Sequence, residues 1–184
     1  MAKVAIFVCN GSEDIETVAP ADILRRAGAE VDIVTIEEDP IVNLGRGSKL
    51  LPNLALRDAR LDDYDAFVIP GGDIWEFETE TAALLRDFFI KNFDNQKLLF
   101  AAICAAPHIL YHWGLLENKK VTSFPGIEKE AFEAEHTGNR VEIDGNLITA
   151  NGPGASFLFA HAIVSKLFGK AKADEVLENM QAVL

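Results

Sequence analysis

Cysteine is almost absent from this chain: there are two among 184 residues, Cys9 and Cys104, far apart in sequence. Two such thiols build no disulfide scaffold. The opening MAKVAIFV is interrupted too soon by CNGSED to serve as a secretion signal. A reducing compartment, the cytoplasm, is therefore the expected setting. Positive charge is also sparse. No run of Lys or Arg exceeds a pair, and 29 acids against 17 bases give a formal charge of -12. That balance disfavours nucleic acid and anionic membrane surfaces as partners. No apolar run is long enough to span a bilayer. A G-x-G-x-x-G fingerprint is missing, so no dinucleotide is expected, and the expectation is of no other cofactor and no metal. Internal repeats, low-complexity tracts and linkers are missing too, which leaves a single domain over residues 1–184.

What the chain does have is alternation. The apolar runs KVAIFV, VDIVTI, AFVIP, KLLFAAI and NLITA read as buried strands, and helical patterns lie between them. SEDIETVAPADILRRAG carries acids at its start, Arg25 and Arg26 near its end and Gly28 as its stop, the polarity expected of a helix. TETAALLRDFFIKNF sets Leu84, Leu85, Phe88 and Phe89 on one face. GASFLFAHAIVSKLFG is a third helix, opened by Gly-Pro-Gly, and KADEVLENMQAVL is a last amphipathic segment. The stretch from Pro40 to Arg60 is irregular, suited to short strands or a hairpin. The alternation predicts an α/β fold with a mostly parallel sheet covered by helices on both faces. In such sheets, sites gather in the crevice at the carboxyl ends of the strands.

Three strand ends carry candidate chemistry. In LLFAAICAAPHIL, Ala102 and Ala106 flank Cys104 at two residues' distance, the small residues that a nucleophile elbow demands. Pro107 suits the first turn of a following helix, whose N-terminus would hold the thiol below its free pKa of about 8.5. The bland alternative is a buried thiol packed as a small hydrophobe. Pro70-Gly71-Gly72 after another strand lets backbone N–H groups approach a ligand, and with the N–H of Ala105 could hold an oxyanion. An ordinary loop turn reads the same way. Glu16 lies in an acidic helix start, where Glu13 and Asp14 share the same dipole explanation. His108, one helical turn past Cys104, is the local histidine that can stand at the thiol pocket, with packing in the core as the alternative reading. A zinc site of Cys104, His108 and Glu16 lacks any recognised ligand spacing. His112, His136 and His161 pair with no motif, and Cys9 reads as a buried or edge thiol.

Taken together and in order, AAICAAP, PGG, GSEDIETVAPADILRRAG, VTSFPG and NGPGASF resemble the ThiJ/PfpI superfamily, in the branch of the parkinsonism-associated deglycases. The resemblance implies a flavodoxin-like three-layer sandwich with a nucleophile elbow, and a homodimer. It implies that Cys104 is the reactive cysteine, Glu16 the acid hydrogen-bonded to it, and Gly72 and Ala105 the backbone oxyanion donors. Gly71, Phe124 and Pro153 fall in the matched motifs and are expected near the pocket. Arg46 and Arg26 resemble basic residues near the pocket or the dimer interface. Two departures matter. Protease-like members have His directly after the nucleophile, where this chain has Ala105, and some deglycase-branch members have His where this chain has Phe124. Neither usual histidine is present, and His108 is the only local substitute for a Cys–His dyad.

A thiolate without a strong base suits addition to an already electrophilic carbon. The expected activity is thus of glyoxalase or deglycase type, on a small aldehyde, a dicarbonyl or a glycated adduct. Glu16 would shuttle the proton, and peptide cleavage is not expected. The competing expectation is a redox sensor or chaperone in oxidative stress, in which Cys104 is oxidised without turnover.

Overall fold

The computed structural model describes residues 1–127 and 134–182. The chain runs through β1 (Lys3–Val8), α1 (Asp14–Arg26), β2 (Glu30–Thr35), β3 (Val42–Asn43), β4 (Lys49–Leu50), β5 (Leu54–Ala55) and β6 (Ala66–Ile69). It continues through α2 (Ala83–Asn92), β7 (Leu99–Ile103), α3 (Ala106–His112), β8 (Lys120–Val121) and β9 (Glu135–His136). The last elements are β10 (Val141–Asp144), β11 (Leu147–Ala150), α4 (Ser156–Phe168) and α5 (Lys170–Asn179).

Seven strands form one sheet in the order β10-β11-β7-β6-β1-β2-β5. Every neighbouring pair is parallel except β10 with β11. This is the expected three-layer α/β arrangement. All five expected strand runs lie in this sheet; the short edge strand β5 and the antiparallel β10 complete it. β6, β7 and β11 are buried along their whole length, because a strand covered on both faces has no solvent side. The two-residue side-chain period then sorts the core. Val4, Ile6 and Val8 face an aliphatic layer shared with α1, α4 and α5, whereas Ala5, Phe7 and Cys9 face an aromatic one. In the aromatic layer Phe67 stacks on Phe100 at 5.4 Å, and Phe89 and Trp113 meet edge to face.

The segment from Pro40 to Arg60 holds the antiparallel hairpin β3–β4, strand β5 and a short 3-10 turn. One expectation needs correction. Leu85 and Phe89 of α2 are buried, but Leu84 is 62% exposed. A helix turns about 100° per residue, so a neighbour of Leu85 leaves the buried stripe. The final amphipathic segment forms α5, and its residues 183–184 lie outside those described. Among the described residues, no helix is long and apolar enough to cross a membrane.

Helix α1 is placed by its first turn. Glu13 caps it, its Oε2 accepting from the N–H of Glu16 at 2.9 Å. Pro20 lies inside the helix, four residues after Glu16, and has no N–H to donate to the Glu16 carbonyl. The direction of the sheet order reverses at β1, with β2 on one side and β6 on the other. The crevice at this switch lies beside the ends of β1 and β6 and the start of α1.

Candidate active site

Cys104 occupies the single residue between β7 and the αR turn at Ala105 that leads into α3. Its φ is +65°, a left-handed conformation that strains any residue with a Cβ. The strain is held by two backbone bonds: Cys104 N–H donates to Ala150 O at 2.8 Å, and Cys104 O accepts from Phe124 N–H at 2.8 Å. Ala102 and Ala106 on either side are fully buried, which leaves no room for larger side chains there.

Glu16 is fully buried on α1. Its Oε2 accepts from the Gly71 N–H at 2.8 Å, while Oε1 is buried and accepts no hydrogen bond. The Glu16 carboxyl and the Cys104 thiol are coupled neighbours, and the N–H groups of Ala105 and Gly72 reach the sulfur. Gly71 packs between them. A Cβ there would lie 2.6 Å from Cys104 Cβ, 2.8 Å from Glu16 Oε2 and 2.9 Å from the Ala105 nitrogen. Glycine is required here for close approach rather than for an unusual φ.

Burial pushes the Glu16 carboxyl up to about 7, against the opposing pull of the Gly71 N–H. Burial, followed by the negative charge of ionised Glu16, pushes the Cys104 thiol up to about 12. The expectation that a helix N-terminus holds this thiol below its ordinary value is therefore not met with Glu16 ionised. The donors Ala105 and Gly72 pull downward, but burial and the adjacent carboxylate outweigh them. The pair titrates as a unit, losing its first proton near 7 and its second near 12. Between those limits the remaining proton is on the sulfur. Its transfer to Glu16 would remove the repelling charge and set a thiolate against the backbone donors.

A cavity of about 300 Å³ opens over the thiol, and Arg46, Gly72, Ala105, Phe124 and Pro153 line it with Cys104. Sequence reasoning placed these residues together. It did not single out Glu13 and Asp73, which also line the cavity, nor the role of Asp14. Asp14 accepts from the N–H groups of Arg46 at 2.7 Å and Ser48 at 3.2 Å, so the β3–β4 hairpin is tied to α1 and Arg46 is held at the rim. The spacing of Glu13 and Glu16, three apart at a helix start, was the available signal for the cap. Two residues offered for the pocket, Arg26 with the dimer interface as its alternative and His108, lie outside this cavity. Arg26 pairs with Asp22 at 2.6 Å at the far end of α1, about 15 Å along the helix from Glu16. His108 faces a neighbouring cavity, with Trp75 and Glu78, because α3 packs on the aromatic side of the sheet. Cys104, His108 and Glu16 thus do not converge on one point. Cys9 is fully buried, with the Ser12 hydroxyl at 3.8 Å from its sulfur.

The DJ-1/PfpI family matches residues 2–166. The chain belongs to the DJ-1/PfpI family. Among family members, it is 39% identical over 176 residues to Protein DJ-1 homolog B of Arabidopsis thaliana, covering 95% of this chain and 40% of that one. It spans less than half the length of this plant relative. The match to the Glutathione-independent glyoxalase DJ-1 of Schizosaccharomyces pombe is 27% identical and covers 98% of each. The crystal structure of Drosophila melanogaster DJ-1beta superposes with a TM-score of 0.90 at 30% identity, covering 100% of this chain and 99% of that one.

Proposed function

We propose that this chain is a cysteine-dependent enzyme of glyoxalase or deglycase type, acting on small dicarbonyls or their adducts without glutathione. The observation that carries this reading is the buried Glu16 carboxyl, coupled to Cys104 and still protonated near neutral pH. A carboxylic acid of this kind can give a proton to a developing alkoxide and then act as the base that recovers it. The fission-yeast relative's name supports the same substrate class.

In the proposed reaction the Cys104 sulfur forms a bond to the aldehyde carbon, and the carbonyl electron pair moves to oxygen. That oxygen lies near the Gly72 and Ala105 N–H groups and takes the proton of Glu16. Ionised Glu16 then removes the hydrogen from the former aldehyde carbon as a proton. The proton returns to the adjacent carbon while a second passes between the two oxygens, giving a thioester of a 2-hydroxy acid. Water cleaves the thioester and restores the thiol. The net change is the addition of one water, with no external oxidant or reductant. Ala105 offers no imidazole to protonate an amine, so peptide cleavage lies outside this chemistry.

The working form in this reading is a cytoplasmic homodimer. Ile15 and Val18 of α1, 51% and 50% exposed, support a second copy packed on that face. The deciding experiment follows methylglyoxal and lactate by NMR without glutathione. Wild type should release lactate over many turnovers, and Cys104→Ala should release none. Lactate formation by Cys104→Ala would overturn the proposal. Stoichiometric thiol oxidation with no turnover would favour a redox sensor instead.

A further inference from the structure

The cavity beside the proposed thiol site has a volume of about 450 Å³ and shares Gly72, Asp73 and Ala105 with it. Its wall carries Glu78 and His108, side chains for which the thiol chemistry has no use. His112 lies outside the lining but stands one turn beyond His108 on α3, the spacing that puts two imidazoles on one helix face. Their ring centroids are 4.2 Å apart. Glu78, at the end of the 3-10 turn Trp75–Glu78, brings Oε1 to 3.5 Å from His108 Nε2. That oxygen is buried and accepts no hydrogen bond. One ligand atom from each of the three residues lies within 4.8 Å of the other two.

We infer that Glu78, His108 and His112 form a binding site for a divalent transition cation, zinc, with its remaining coordination positions open to this cavity. Zinc bonds of about 2.0–2.1 Å in tetrahedral geometry set neighbouring ligand atoms about 3.4 Å apart. The Glu78–His108 pair already meets that separation. His112 is exposed and the Glu78 side chain is 25% exposed, so a rotamer adjustment of about 1 Å closes the set. Two imidazoles and one carboxylate suit zinc better than calcium or magnesium, which take oxygen ligands. Three protein ligands also leave room for water or a ligand oxygen, as in zinc sites that are not purely structural. A plain ion pair between Glu78 and His108 accounts for two of these groups and leaves the position of His112 without a role.

Zinc chloride titrated into the purified full chain tests the site, by calorimetry and by the fluorescence of Trp75, whose ring lies 6.2 Å from that of His108. Cobalt chloride with visible absorption gives an independent reading of coordination. Wild type should bind a single zinc, and Cys104→Ser should bind it equally well. His112→Ala and Glu78→Gln should each weaken binding roughly tenfold or more. Both substitutions are at partly or fully exposed positions, and thermal melting checks that the fold is retained. Wild type that binds no zinc, folded His112→Ala or Glu78→Gln with wild-type affinity, or lost binding in Cys104→Ser would each overturn the site. The last result would place the metal on the thiol instead.

Discussion

Replacing Glu16 by Gln removes an ionisable group from a fully buried position, and should flatten the dependence of stability on pH. In the unfolded chain this carboxyl ionises near 4.5, whereas in the folded protein burial holds it protonated up to about 7. The sign follows from proton binding: between those values the folded state keeps a proton that the unfolded state has released. The contribution to stability is therefore full below pH 4.5, falls as pH rises, and is lost by about pH 7. At about 1.4 kcal/mol for each pH unit between the two values, the loss is roughly 3 kcal/mol. A Gln side chain keeps the shape, its carbonyl can accept from the Gly71 N–H, and it has no charge to bury. Urea unfolding of both proteins at pH 5, 6, 7 and 8 reads the difference. The Gln variant should gain steadily on wild type, by roughly 3 kcal/mol in total, and the gap should stop widening above pH 7. For a chain of this size that is about 6–12 °C in Tm. Parallel stability curves with a constant offset would mean that Glu16 ionises as an ordinary surface carboxyl does, and the reasoning would fail.

Other outcomes follow from the same geometry. Gly71→Ala places a methyl against Cys104, Glu16 and the Ala105 nitrogen, and should cost about 1–3 kcal/mol in stability along with most dicarbonyl turnover; melting and lactate release check it, and a fully active variant would show that the contact is loose. Brief iodoacetamide treatment at neutral pH should label Cys104, which borders a cavity, and spare the fully buried Cys9; peptide mass spectrometry decides, and equal labelling would refute the difference in access. Mild peroxide should add two oxygen atoms to Cys104 and stop there, because the Gly72 and Ala105 N–H groups and protonated Glu16 can donate to a sulfinate. Progression to the sulfonic acid at the same rate in wild type and Glu16→Ala would exclude that role for the acid.

The sheet was legible because its strands are apolar runs of unmistakable length, and period-two sorting needs only the residues themselves. β5 and β10 were not, since two residues at an edge, or a half-buried strand such as VEID whose alternation spans only four residues, make no continuous apolar run. Cys104 stood out through its alanine neighbours. Glu16 did not, because three acids share the helix start and only the fold shows that Glu13 caps, Asp14 holds the hairpin and Glu16 turns inward. His108 was misplaced for a related reason. Sequence distance from Cys104 says nothing about which face of the sheet α3 covers, and Glu78 approaches it from a separate turn that no linear spacing reveals.

Pro20 bears on how the acid is held in place. With no N–H to offer the Glu16 carbonyl, it interrupts the hydrogen-bond ladder of α1 at the residue whose position matters most. The first turn is fastened instead by Glu13, by the Gly71 N–H and by Asp14 on the hairpin. The acid is in this sense mechanically insulated: fraying or drift at the solvent-facing end near Asp22 and Arg26 has a weakened path back to it. Surface positions on the distal half of the helix are then free to change over evolutionary time without retuning the proton held beside the thiol.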